Sequence, residues 1–311
     1  MPRRWESEAT DQLDGAGLIQ TQILNPPDPL SLPLPLDGER IRGFGVGAAA
    51  KLMSFFKVEK LSISFGGLEA LRDIRFEVPK GQIYAIIGPN GAGKTTLFNC
   101  INGVYKPSKG YIFFKDTEIQ GKRPDQIARL GIARTFQNIE LFSHMSTMEN
   151  LMLGRHKFLK TGLFRGAFMW GRSSFAGREE VTNRSKVEEI IDLLELQAVR
   201  NKFVGALPYG TQKQVELGRA LALEPELLLL DEPCAGMNSE EKQDMIFWIK
   251  DIQDTLGVTI LLIEHDMKMV MDISERVLVI NFGRMIVEGT PEEVQKHPEV
   301  LKAYLGEVNV A

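Results

Sequence analysis

Nowhere in this 311-residue chain does an apolar run approach the about 18–20 residues that a membrane-crossing helix needs. The Met1-Pro2-Arg3-Arg4 start has no apolar stretch behind it that could act as a secretory signal, so the expected location is the cytoplasm. Cysteine is scarce. Cys100 and Cys234 stand far apart with no CxxC spacing, which gives neither a disulfide framework nor a zinc pattern, and both read as small core residues. Excess positive charge is missing as well: a formal net charge of −4 argues against nucleic acid as a partner, because such binding rests on a basic surface that neutralises phosphates. What the chain does have is 43% hydrophobic and 25% charged residues, the proportions of a globular protein able to bury a sizeable core.

The organisation changes abruptly along the chain. Residues 1–52 are rich in proline, glycine and isolated leucine, as in Asn25-Pro26-Pro27-Asp28-Pro29, and hold no sustained period, so a disordered N-terminal extension is expected. Gly43-Phe44-Gly45-Val46-Gly47 lies there with no preceding strand and without the full dinucleotide-loop spacing; it reads as linker. The folded domain is expected over 53–311, and the change of character makes Met53 a candidate translation start. Short β-rich runs (Lys57 to Phe65, Ile74 to Val78, Gln82 to Gly88) give way to alternating strand and helix, the mark of a parallel α/β core. Strands vanish over about 138–205, where helix-forming stretches such as Glu179 to Leu196 dominate. Two near-continuous apolar strands follow, Leu227 to Leu230 and Val258 to Ile263, a pattern expected when both faces of a sheet are covered. A hairpin from Val277 to Glu288, turning at Phe282-Gly283, and one helix from Pro291 to Leu305 complete the expectation.

Two motifs carry chemistry. Gly88, Pro89, Asn90, Gly91, Ala92, Gly93, Lys94, Thr95 and Thr96 fit GxxxxGK[ST], between a predicted strand and a predicted helix from Thr95 to Asn102. In that context the backbone amides and the helix N-terminus cradle phosphates, Lys94 reaches the β and γ phosphates of a nucleotide, and Thr95 can hold Mg²⁺. Leu227 to Leu230 ends in Asp231-Glu232, two carboxylates at the C-terminal end of a buried strand, where open α/β sheets bind ligands. Asp231 would hold Mg²⁺ and Glu232 would polarise the attacking water; alone the pair is also compatible with acidic turn residues, but beside a phosphate loop it fits phosphoanhydride hydrolysis.

With these motifs in place the chain resembles the ATP-binding-cassette (ABC) family over about Phe56 to Gly306. The resemblance implies an α/β P-loop NTPase fold with an antiparallel β portion and an inserted helical subdomain. It implies ATP as substrate, Mg²⁺ as cofactor, and ATP hydrolysis coupled to transport. Phe65, in Ser64-Phe65-Gly66-Gly67, stands where the family stacks an aromatic on adenine, although a lone phenylalanine at a strand end is more often core. Gln137, in Thr135-Phe136-Gln137-Asn138, matches the Q-loop glutamine that contacts Mg²⁺ and water. His265, in Ile263-Glu264-His265-Asp266, matches the switch histidine on the γ-phosphate. Leu207-Pro208-Tyr209-Gly210-Thr211, leading into a predicted helix from Gln212 to Leu223, looks like the LSGGQ signature, whose Gly210 would reach the nucleotide of a second subunit. Pro208 replaces the usual serine and brings neither a hydroxyl nor an N–H. Asn238, ending Ala235-Gly236-Met237-Asn238, replaces the usual D-loop aspartate and keeps hydrogen bonding without the charge.

Within the family the chain is similar to the ATP-binding subunits of branched-chain (hydrophobic) amino-acid uptake systems, through its signature, its D-loop and the Gly283-Arg284 and Glu288-Gly289-Thr290-Pro291 tail. The implied partners are membrane permease subunits, a second cassette in a homodimer or heterodimer and, indirectly, a substrate-binding protein; the implied place is peripheral, on the cytoplasmic face of the cell membrane. Other cargoes, such as urea or an exported lipid-linked glycan, stay open. A regulatory module that holds ATP without hydrolysing it is conceivable from Pro208 and Asn238, but retention of Lys94, Glu232 and His265 argues against it. An ABC protein of ribosomes or DNA would carry tandem cassettes, a long coiled-coil insert or a basic surface, and none is seen. Inside the insert Arg155, Lys157, Lys160, Arg165, Arg172 and Arg178 interleave with aromatics, compatible equally with an anionic membrane surface or permease and with a partly packed, solvated loop.

Overall fold

A computed structural model describes residues 54–158 and 175–305. The expected extension 1–52 and the centre of the basic insert lie outside the described residues.

Strand β1 (Phe56–Phe65) pairs antiparallel with β2 (Leu68–Val78) and, on its other edge, with β4 (Lys109–Phe114), which hairpins to β5 (Thr117–Glu118). This is the antiparallel portion. The second sheet runs β10-β9-β3-β8-β7-β6, with β3 (Ile83–Ile87) parallel to β8 (Thr259–Ile263) and to β9 (Arg276–Asn281). β7 (Leu227–Asp231) lies parallel between β8 and β6 (Ile132–Arg134), and β10 (Arg284–Gly289) closes the opposite edge antiparallel to β9.

The apolar runs of β7 and β8 are explained by what covers them. Successive side chains of a strand point to opposite faces. Leu227, Leu229, Leu261 and Ile263 enter one core with Leu97, Phe98 and Ile101 of α1 (Lys94–Ile101) and with the antiparallel sheet. Leu228, Leu230, Ile260 and Leu262 enter a second core. That core takes Leu151 of α3 (Thr147–Gly154), Val187 and Ile191 of α4 (Phe175–Leu193), and Val215 and Leu217 of α5 (Tyr209–Leu221). All eight strand residues are fully buried, each contributing about 1.5–3 kcal/mol by leaving water. Both cysteines are core residues as expected, and burial pushes each thiol up to about 12.

The remaining α-helices among the described residues are α2 (Pro124–Leu130), α6 (Ser239–Leu256), α7 (Met267–Ile273), α8 (Pro291–Gln295) and α9 (Pro298–Leu305). The single helix expected from Pro291 to Leu305 is thus two. Thr290 caps α8, accepting the Glu293 N–H, and Pro291 opens it. Pro298 then interrupts it, since proline has no N–H to donate and drives the residue before it out of the helical region. The predicted hairpin tip at Phe282-Gly283 is present; both residues adopt positive φ.

Candidate functional site

The loop between β3 and α1 owes its path to glycine. A Cβ on Gly88 would lie 1.9 Å from the backbone oxygen of Ile280, and one on Gly93 would lie 2.7 Å from that of Ala70. Only a hydrogen at these positions lets the loop curl between β9 and the start of β2. The hairpin tip is bonded to it, Gly283 N–H donating to Ala92 O at 2.9 Å. Lys94 is buried, and its Nζ donates to Gly88 O at 2.6 Å and Pro89 O at 3.2 Å, which sets the ammonium inside the curl. Lys94, Thr95 and Thr96 form the first turn of α1, so the loop leads straight into a helix N-terminus, where backbone N–H groups and the helix dipole favour an anion.

Asp231 is the last residue of β7 and Glu232 follows it in a left-handed conformation, φ 48°. This conformation costs a non-glycine residue about 1 kcal/mol and is held by Glu232 N–H donating to Ile263 O at 2.9 Å and Ala235 N–H to Glu232 O at 3.1 Å. Gln137, just beyond β6, donates through Nε2 to Glu232 Oε2 at 3.2 Å, and His265, just beyond β8, brings Nδ1 to 3.6 Å from the same oxygen. Three residues singled out from separate stretches therefore meet at the C-terminal ends of neighbouring strands. Asp231 is 1% exposed; its Oδ1 has no hydrogen-bond partner, which fits a metal-facing oxygen. A carboxylate oxygen and a hydroxyl are the kind of oxygen donors that Mg²⁺ accepts alongside phosphate oxygens.

Phe65 ends β1 and is 45% exposed, its ring set edge-on to Tyr105 at 5.1 Å, so it is available for stacking and not core. Gly210 lies in the first turn of α5, behind the cap residue Pro208, which makes no side-chain cap bond. It packs against α6: a Cβ there would lie 2.5 Å from Glu241 Oε1. Asn238 caps α6, accepting from Glu240 N–H at 2.9 Å and Glu241 N–H at 3.0 Å, a local duty that asparagine performs as well as aspartate.

Two site residues escape motif reading. Arg134 donates to Asp231 Oδ2 at 2.7 Å and Asn99 Oδ1 at 2.7 Å, its guanidinium 4.9 Å from the Phe136 ring. Glu264, fully buried, accepts from Cys234 N–H at 3.0 Å and His265 N–H at 3.0 Å, tying the turn after β7 to the histidine. Arg134 is at least visible as a charge ending a short apolar stretch; Glu264 has no signal beyond its neighbour His265. Arg155, counted above among the cations of the insert, is buried and donates to Asn183 Oδ1 at 3.0 Å and Ala222 O at 3.1 Å, which removes it from any surface patch.

Residues 71–235 match the family model described as ABC transporter. The chain belongs to the ABC transporter ATP-binding family. A second model, for the branched-chain amino acid ATP-binding cassette transporter, matches this cassette over residues 284–308. The cassette is 43% identical over 250 residues to the high-affinity branched-chain amino acid transport ATP-binding protein LivG of Escherichia coli K12, covering 80% of this chain and 97% of that one. It is 42% identical over 251 residues to the corresponding BraF protein of Pseudomonas aeruginosa, covering 81% and 97%. Among solved structures it superposes on the ADP conformation of MJ1267, an ATP-binding cassette of an ABC transporter, with TM-score 0.71 and 30% identity over 82% of this chain and 99% of that one. As a member of this family the cassette is an ATPase that powers transport.

Proposed function

We propose that this cassette energises the uptake of branched-chain amino acids, as one of two ATPase subunits seated on membrane permease subunits at the cytoplasmic face. The observation that carries the cargo is the match of its C-terminal segment, residues 284–308, to the branched-chain subgroup, beside 43% identity to a relative named for that transport. No helix among the described residues is long and apolar enough to cross a membrane, so attachment would run through the permease.

In this reading the loop amides, the α1 N-terminus and Lys94 hold the β and γ phosphates of ATP, while Phe65 stacks on the base. Asp231 Oδ1 and Thr95 hold Mg²⁺, with Gln137 contributing; the ion supplies neutralisation of phosphate charge. Glu232 Oε2 takes a hydrogen bond from the attacking water, which forms the new bond to the γ-phosphorus as the bond to the ADP oxygen breaks. Gln137 and His265 flank that oxygen, so the water and the γ-phosphate are fixed together. Gly210 of a second subunit completes the site through its amide, at a helix N-terminus that needs neither a serine hydroxyl nor an N–H at Pro208.

The test is uptake of radiolabelled leucine in cells lacking this subunit, restored by the wild-type chain and not by Glu232→Gln, with urea uptake measured in parallel. Leucine uptake independent of the subunit would reject the cargo assignment.

A further inference from the structure

Behind Gln137 the backbone is gripped by buried charges that none of the roles above employs. Lys213, on α5, has a side chain only 2% exposed. Its ammonium donates to Gln137 O at 2.8 Å and Phe136 O at 3.1 Å, with Glu216 Oε2 at 3.5 Å as a third acceptor. An ammonium has three donors, so each is matched. Glu216, equally buried, accepts the Phe136 N–H on Oε1 at 3.3 Å, and Arg219, further along the same helix, donates to Glu140 O. Burial pushes the Glu216 carboxyl above its ordinary range while Lys213 draws it back down.

Taking an ammonium and a carboxylate out of water carries a large desolvation penalty, and an apolar pair of similar volume would fill the space without it. The charges are explained by what they hold in place. α5 opens with Tyr209 and Gly210, the latter read as facing the nucleotide of a second subunit, whereas the Gln137 side chain lies on Glu232 of its own chain.

We propose that Lys213 and Glu216 are positioning residues that fasten the Q-loop backbone to the helix carrying Gly210, so that Gln137 at one nucleotide and Gly210 at the other move as a single piece. A shift of Gln137 driven by nucleotide at its own site is then passed to the second site without a separate relay, and the two sites are coupled through α5. The proposal rests on the roles given above to Gln137 and Gly210.

The experiment is a double-mutant cycle on the full chain, reading steady-state turnover with Mg²⁺ and ATP, the Hill coefficient for ATP, nucleotide affinity and melting temperature. Lys213→Met with Glu216→Leu removes both charges together and strands neither. Melting temperature and nucleotide affinity should stay near wild type, because Lys94 and its loop are untouched. Turnover should fall about tenfold or more with a Hill coefficient approaching one, and in a Gln137→Ala background the same pair should change turnover less than about twofold. Lys213→Arg, which keeps the cationic donor, should restore part of the loss. Should the double variant fail to fold, Glu216→Gln, which keeps the side-chain shape, carries the same cycle. Equal losses in both backgrounds, or wild-type turnover and Hill coefficient in a folded double variant, would overturn the proposal. Wild-type turnover in Gln137→Ala alone would overturn it by removing Gln137 from the site, while leaving the ATPase assignment standing.

Discussion

Replacing Arg134 with methionine should destabilise this protein strongly. Arg134 and Asp231 have side chains 4% and 2% exposed and lie 2.7 Å apart. Methionine occupies a similar volume against Phe98 and Phe136, so the cavity left is small. The loss is the electrostatic partner of a carboxylate sealed from water. Breaking a buried pair from one side costs about 3–5 kcal/mol, which for a domain of this size corresponds to about 6–20 °C in melting temperature. Arg134→Met with Asp231→Asn removes the carboxylate charge as well and should recover most of that loss. Mg²⁺ with ADP should raise the melting temperature of Arg134→Met by more than that of wild type, because a cation beside Asp231 replaces the missing one and binding to the native state adds stability by mass action. Differential scanning fluorimetry with and without MgADP reads all three. A melting temperature of Arg134→Met within about 2 °C of wild type, against the 3–5 kcal/mol expected, would refute the claim that this pair is buried and mutually dependent.

Gly88→Ala should abolish nucleotide binding and lower the melting temperature, since its methyl group would fall 1.9 Å from the Ile280 oxygen; equilibrium binding of a fluorescent ATP analogue checks it. Asp266→Asn should cost up to about 1 kcal/mol at neutral pH: asparagine still caps α7 at the Met269 N–H, but the ion pair with Lys242 at 2.9 Å is lost. Lys242 and the cap hold the Asp266 carboxyl below the ordinary carboxylate range. Its contribution is therefore complete above the unfolded value near about 3.9 and lost as pH falls through the lower folded value, so the wild-type advantage in urea unfolding should vanish only at strongly acid pH.

Much of the fold was legible because it is written in short-range pattern. The run from Leu227 to Leu230 announces a strand covered on both faces, and the phosphate loop declares its flanking strand and helix. Asp231, Glu232 and His265 were found at strand ends because each sits beside an apolar run long enough to be seen, whereas Gln137 came from the family resemblance alone. β6 escaped notice: three residues, Ile132–Arg134, are too few for a period, and its place is set by pairing with β7. The first half of β2 was missed for another reason, since Leu68 to Asp73 is largely exposed and shows no clean alternation. The roles of Arg134, Glu264, Lys213 and Glu216 could not be read because their partners are supplied by folding. A buried arginine and a solvated one look alike in sequence until the aspartate about a hundred residues away is brought against it.

The chemistry of the site turns most directly on Glu232. Steady-state ATP hydrolysis by the purified chain with Mg²⁺, alone and with its co-purifying membrane partners, should be lost in Glu232→Gln while the affinity for ATP is kept. Hydrolysis by Glu232→Gln at the wild-type rate would contradict the assignment of the water-polarising carboxylate and with it the chemistry derived for the site.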